Sequence, residues 1–339
     1  MKTQVGRIPS RLLLFAVVAS CLFAFPARAA DADPTRIILV VGASGADEYG
    51  ALFSEWSDDW VSLADKAEAN LVTIGKSDPG KLVDREQLKS SIEQVPADGT
   101  APLWIVMIGH GTYARGVAKF NMRGPDVSAD ELAQWLGPLK RPVVIVNCAS
   151  SSAPFINKLS ANNRIVVTAT RSGAQQNFAR FGEYFSQAIA SPESDLDHDD
   201  EVSVHEAFLR ASNEVRQFYD AEARISTEQA LIDDNGDGRG TPAKMFRGVR
   251  PVAKAKEGAA LDGPRAMRIT LSPSGKQLTF TDQERKARAA IEQQLEQIRA
   301  GKSELTETEY DAAIEPLMLQ LARIYQAAEQ RQASSATSE

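Results

Sequence analysis

Two apolar runs, each stopped by a reactive side chain, constrain this chain more than any other feature. Leu103-Trp-Ile-Val-Met-Ile108 runs into Gly109-His110-Gly111, and Val143-Val-Ile-Val146 runs into Asn147-Cys148-Ala149-Ser150. Short apolar runs without alternation are the pattern of strands buried on both faces, which belong to parallel sheets covered by helices. Open sheets of that kind gather ligands and chemistry at the carboxyl ends of their strands. Neighbouring strands ending in His110 and Cys148 would set a base and a nucleophile at one edge.

The surrounding chain alternates strand and helix in the same manner. Arg36 to Val41 reads as a buried strand, followed by a helix from Glu48 to Ala69 with Leu52, Trp56, Trp60 and Leu63 on one face. Leu71 to Ile74 is the next strand and Asp84 to Val95 the next helix. Ser128-Ala-Asp-Glu131 has the pattern of a capping box and opens a helix to Leu136. Pro154 to Leu159 reads as a short helix, and Ile165 to Ala169 as a fifth strand. The order predicts an α/β fold, a doubly wound, mostly parallel sheet flanked by helices. The turn Gly42-Ala-Ser-Gly45 lacks the full dinucleotide pattern and the phosphate-loop lysine, and no G-x-S-x-G elbow occurs in the chain.

The N-terminus reads as a targeting segment. Lys2, Arg7 and Arg11 precede an apolar stretch from Leu12 to Phe25, and Ala27-Arg28-Ala29 supplies a small-x-small cleavage site. Export to a periplasmic or extracellular location follows, with residues 1–29 as signal peptide. The rival is a lipoprotein site at Val18-Ala-Ser-Cys21, in which acylated Cys21 would anchor the chain to a membrane. Removing residues 1–29 takes away Lys2, Arg7, Arg11 and Arg28 and no acid, moving the net charge from −7 to −11. Such a balance disfavours nucleic acid as a partner.

Only Cys21 and Cys148 occur, so the mature form keeps a single thiol and has no internal disulfide. An unpaired thiol in an oxidising compartment favours a chemical role, with a buried small hydrophobe as the bland alternative. Peptide hydrolysis needs a nucleophile, a proton carrier and donors for the oxyanion. Cys148 and His110 would supply the first two, and the backbone N–H groups of Gly111 and Cys148 the third. The glycines flanking His110 would let substrate backbone approach.

An apolar strand ending in His-Gly, then another ending in Cys with small residues behind it, resembles the legumain/caspase superfamily of cysteine peptidases. The resemblance spans roughly Arg36 to Gly240. Gly182-Glu-Tyr-Phe-Ser186 is similar to the legumain segment that lines the specificity pocket, and Leu231-Ile-Asp-Asp-Asn-Gly-Asp-Gly238 to a segment of bacterial members. The resemblance implies a caspase/legumain-like peptidase domain over residues 30–250 acting on peptide or protein substrates, with Glu183 and Ser44 at the substrate side. Several positions depart from the family: Ser44 stands where legumains carry an Asn that orients the His, Gly109 where they carry Asp, Ala149 where an acid follows the Cys, and Gly50 where a pocket Arg is expected. Cleavage after Asn or Asp therefore does not carry over; Glu183 would instead favour a basic or amide-bearing side chain.

A second pattern lies at Asp195 to Glu206. Oxygen-bearing residues fall at positions one (Asp195), three (Asp197), five (Asp199), nine (Ser203) and twelve (Glu206) of a calcium loop, with Glu201 contributing its carbonyl at seven. Helical patterns on both sides complete a helix-loop-helix setting. Position six, normally Gly, is Asp200. Structural Ca2+ is the expected cofactor, with a solvated acidic loop as the alternative. Asp233-Asp-Asn-Gly-Asp-Gly238 starts a similar pattern but meets Lys244 at the chelating position, and reads as a turn at the active-site rim. His198 and His205 lack zinc-spaced partners and read as surface residues.

Beyond residue 250 the character changes. Residues 251–280 read as a linker followed by a β-hairpin, Arg268 to Leu271 with Gln277 to Phe280. Residues 281–332 read as a helical hairpin broken at Gly301, through which the chain would form a homo-oligomer or cover the active site, and 333–339 as a disordered tail. Two functions fit: an exported cysteine endopeptidase using Cys148 and His110, or a non-catalytic module of the same fold that binds calcium or a protein partner.

Overall fold

The computed structural model describes residues 33–77, 82–252, 261–273, 280–302 and 305–336. The expected leader with Cys21, and most of the second strand of the expected hairpin, lie outside the described residues. The chain forms β1 (Arg36–Val41), α1 (Asp47–Lys66), β2 (Asn70–Ile74), α2 (Asp84–Glu93) and β3 (Leu103–Ile108). It continues with β4 (Gly111–Ala114), β5 (Val117–Phe120), β6 (Val127–Ser128), α3 (Ala129–Leu136), β7 (Val143–Asn147) and α4 (Pro154–Leu159). Next come β8 (Arg164–Thr168), α5 (Phe181–Ala190), β9 (Glu201–Ser203), α6 (Val204–Ala221), β10 (Leu231–Asp233) and β11 (Thr241–Pro242). The last elements are β12 (Phe246–Arg247), β13 (Arg250–Pro251), β14 (Thr270–Pro273), α7 (Asp282–Ala300) and α8 (Glu307–Ala336).

A seven-stranded sheet in the order β11-β10-β8-β7-β3-β1-β2 forms the centre. The five strands from β8 to β2 are parallel, and β10 joins β8 antiparallel. This is the doubly wound, mostly parallel α/β sheet that the apolar runs predict. Along each strand successive side chains enter opposite cores. Val144 and Val146 pack with Phe53, Trp56 and Trp60 of α1, Phe185 of α5 and Phe208 of α6. Val143 and Ile145 pack with Leu88 of α2, Leu132 of α3 and Phe155 of α4. Each such side chain, removed from water, contributes roughly 1.5–3 kcal/mol.

Ser128 caps α3 as its sequence predicts: its hydroxyl accepts from Glu131 N–H, and the Glu131 carboxylate accepts from Ser128 N–H. A cap of this kind stabilises a helix by about 1 kcal/mol. Between β3 and α3 the chain forms a small antiparallel sheet, β4-β5-β6, which begins directly after His110.

In the C-terminal part, β14 runs antiparallel to β9, with Thr270 opposite Ser203 and Pro273 opposite Glu201. Helix α8 continues through Ala336, into the segment expected as a tail. α7 and α8 form the expected antiparallel pair, with Arg331 bonded to Glu284 at 2.8 Å and Phe280 edge-on to Tyr325 at 5.2 Å. No helix among the described residues is long and apolar enough to cross a membrane.

Candidate functional site

β3 and β7 are hydrogen-bonded neighbours in parallel register, Met107 opposite Asn147, so His110 and Cys148 follow adjoining strand ends. Alternation along β7 turns Cys148 into the same core as Val144 and Val146, beneath α1 and α5. Its residue exposure is 1%. Gly182, in the first turn of α5, lies so close that a Cβ there would stand 2.8 Å from Cys148 Cβ and 3.1 Å from the Trp56 ring. Burial pushes the thiol up to about 12, with a smaller contribution from the Glu228 carboxylate. Burial thus disfavours the thiolate, which is the form that attacks.

His110 is half-buried and held from the other side. Its Nε2–H donates to the Ser44 carbonyl at 3.1 Å. Tyr49 and Phe53 meet the ring edge-on at 4.8 and 5.2 Å, and Phe178 lies 6.1 Å away. Among the described residues no hydrogen bond joins His110 to Cys148. The structure thus brings the two to neighbouring strand ends without a hydrogen bond between them.

The N–H groups of both expected oxyanion donors have partners within the protein. The Cys148 N–H donates to the Met107 carbonyl at 2.9 Å, because the inter-strand ladder extends one residue past β7. The Gly111 N–H donates to Ser150 Oγ at 3.2 Å, and that hydroxyl donates back to the Gly111 carbonyl. A Cβ at Gly111 would lie 2.2 Å from the Ser150 carbonyl, so close packing of this chain's own backbone requires the glycine.

Ser44 and Glu183, expected at the substrate side, have partners within the protein. Ser44 presents its carbonyl to His110, while its side chain lies under Gly50 of α1, where a Cβ would stand 3.5 Å from its hydroxyl. Glu183 faces Arg180 at 3.7 Å. Burial raises its carboxyl, Arg180 opposes the rise, and Glu55 and Asp59 of α1 add to it.

In the acidic loop the ligand atoms of Asp195, Asp197 and Asp199 lie within 4.8 Å of one another. Asp195 accepts from the N–H groups of Asp199 and Asp200, and Asp199 accepts from that of Glu201. Asp200 has φ +65°, the left-handed geometry that position six demands of a glycine. Burial, together with neighbouring carboxylates, raises Asp197 to about 6 and Asp199 to about 7. Three converging carboxylates are a donor set suited to a hard divalent cation.

Of the other three expected ligands, Ser203 and Glu206 are engaged at the start of α6, and Glu201, expected through its carbonyl, has a partner for its side chain. Ser203 and Glu206 form the capping box of α6, and Glu206 also accepts from the N–H groups of Leu196 and Asp197. The Glu201 residue is turned by its side chain to Arg288 of α7 at 2.7 Å. Arg288 is 8% exposed, bonds Glu292 at 2.9 Å, stands 3.8 Å from Asp199, and lies over the rings of Phe280 and Tyr325. The local sequence around Arg288 offers only the i,i+4 partner Glu292; Glu201 of β9 and Tyr325 of α8 are distant along the chain.

Two further groups were not legible. His205 is fully buried rather than at the surface, with Nε2 bonded to the Val249 carbonyl and the ring edge-on to Phe246 at 4.6 Å. Burial pushes it down to about 4. The acidic turn after β10 is a fastening: Asp234 accepts from the N–H groups of Gly263, Arg265 and Ala266, and Asp262 from those of Asp234 and Asn235.

No protein-family model and no curated protein match the chain. Among solved structures it is similar to the Drosophila initiator caspase Dronc, at 14% identity and a TM-score of 0.41, over 61% of this chain and 82% of that one. It is also similar to caspase-1 from Spodoptera frugiperda, at 11% identity and a TM-score of 0.37, over 60% of this chain and 86% of that one. At such identities no residue role passes from those proteins to this chain.

Proposed function

We propose that this chain is a binding module of caspase/legumain-like fold rather than a working cysteine peptidase. One observation carries the reading: Cys148 lies sealed under Gly182 and Trp56, with its thiol raised to about 12. The direction is opposite to that of known nucleophilic cysteines, whose thiols are lowered by cationic neighbours and partly exposed. His110 supports the same reading, since its Nε2–H is held by Ser44. The test is hydrolysis of a broad peptide library by wild type and Cys148→Ala. The proposal expects no cleavage by either; turnover by wild type that is lost in the variant would overturn it.

The module reading includes a calcium loop built on Asp195, Asp197 and Asp199, whose carboxylates converge. It also includes export, with residues 1–29 removed, which N-terminal sequencing of the secreted form tests. A second reading, an exported cysteine endopeptidase using Cys148 and His110, is favoured by the strand register that sets the two on adjoining ends. It requires α5 to move off Cys148, and the library experiment separates the two.

A further inference from the structure

A groove of about 980 Å³ runs along α6, between that helix and the segments around residues 226–230 and 243–248. Leu209, Ala243 and Phe246, all half-buried, contribute apolar surface to it. Exposed apolar side chains accompany it: Leu196, 41% exposed, belongs to the lining, and Ile225, 91% exposed, adjoins the lining residue Ser226. An apolar trough continued by exposed apolar side chains is the surface of a docking site rather than of a solvated helix.

The charges along the groove select the partner. Its cations are Arg171, Arg210, Arg216 and Lys244, and its carboxylates Glu214 and Glu228. Arg210 is satisfied by Glu214 and Glu193, and Arg216 by Asp220. Glu228 is turned inward, accepting from the N–H groups of Arg180 and Phe181 and from the Tyr219 hydroxyl. The Arg171 guanidinium reaches only the neutral Gln229 amide, at 3.3 Å, and Lys244 has no polar partner among the described residues. On a chain of net charge −7, this groove therefore carries two uncompensated cations beside apolar surface. A nucleic acid needs a broad basic face to displace counterions. Two cations flanking an apolar trough suit a peptide instead.

We propose that the α6 groove binds a segment of a partner protein in which apolar side chains are flanked by carboxylates. The inference rests on the module reading and names its partner. Arg171 and Lys244 are exposed and stand apart from the residues that enclose Cys148, so the two can fail separately.

The test selects binders from a display library of short random peptides with the full chain as bait, then measures the selected peptides by fluorescence anisotropy. The expected result is enrichment of Asp and Glu beside Leu, Ile or Phe. Affinity should weaken about tenfold or more in the double variant Arg171→Glu/Lys244→Glu, and fall with added salt. Three results would overturn the proposal: no enrichment over an unrelated bait, enriched peptides without acidic residues, or affinity unchanged in the double variant. Tighter binding of single-stranded RNA than of any selected peptide, with the same dependence on Arg171 and Lys244, would assign the groove to nucleic acid instead.

Discussion

Gly182 and Cys148 are packed so tightly that the glycine leaves no room for a side chain: a Cβ on Gly182 would lie 2.8 Å from Cys148 Cβ. This contact joins α5 to the end of β7 and encloses the only thiol among the described residues. Gly182→Ala should therefore destabilise the protein by about 1–3 kcal/mol through overpacking. Urea unfolding of the two proteins measures it. The double variant Gly182→Ala/Cys148→Gly, which makes room for the methyl group, should recover part of the loss; no recovery would mean that the contact is not the cause.

His205 should impose an acid limb on stability. Its folded-state value is lowered to about 4, against 6.5 unfolded. As pH falls below 6.5 the unfolded chain takes up the proton first, so stability is lost progressively and the loss levels off below about 4. The size of the effect is on the order of 3 kcal/mol. His205→Gln should flatten the difference in stability between pH 6.5 and 4; an unchanged slope would assign the acid limb to other groups.

Arg288 should hold the C-terminal helices to the body. Its side chain packs with Glu201 and Glu292, and Arg288→Met would remove the bond that joins α7 to the Glu201 carboxylate of β9. Breaking a buried pair by removing one partner costs about 3–5 kcal/mol. Amide exchange in α7 and α8 should accelerate while β3 and β7 stay protected, and Arg288→Met/Glu201→Gln should restore part of the protection. Equal acceleration throughout would make Arg288 a global rather than a local support.

The reach of the sequence follows from how local each signal is. Buried runs such as Leu103 to Ile108 and the Ser128 capping box involve a few consecutive residues, and both stand where the sequence puts them. The orientation of Cys148 was not legible, because one residue of register decides which face a strand-end side chain takes, and Gly182 lies far along the chain. The loop at Asp195 was legible for its first three carboxylates. Glu206 was not, since a capping box and a calcium loop place an acid at the same position. The pairing of β14 escaped because its partner β9 is distant along the chain, and His205 because a polar residue at a helix start looks exposed until Phe246 and Gly263 are packed on it.

Calcium should raise the melting temperature by binding the folded loop alone, by an amount equivalent to about 2.7 kcal/mol at a hundredfold excess over Kd. Asp195→Asn/Asp197→Asn should remove the shift. No shift at millimolar calcium in the wild type would return the loop to a solvated acidic turn.

The reaction of the native protein with a thiol reagent tests the central claim most directly. With Cys21 replaced by Ser, labelling of Cys148 should proceed no faster than global unfolding, reach one equivalent in denaturant, and be indifferent to His110→Ala. Stoichiometric labelling of the folded protein within minutes, slowed by His110→Ala, would contradict the account and establish a poised nucleophile.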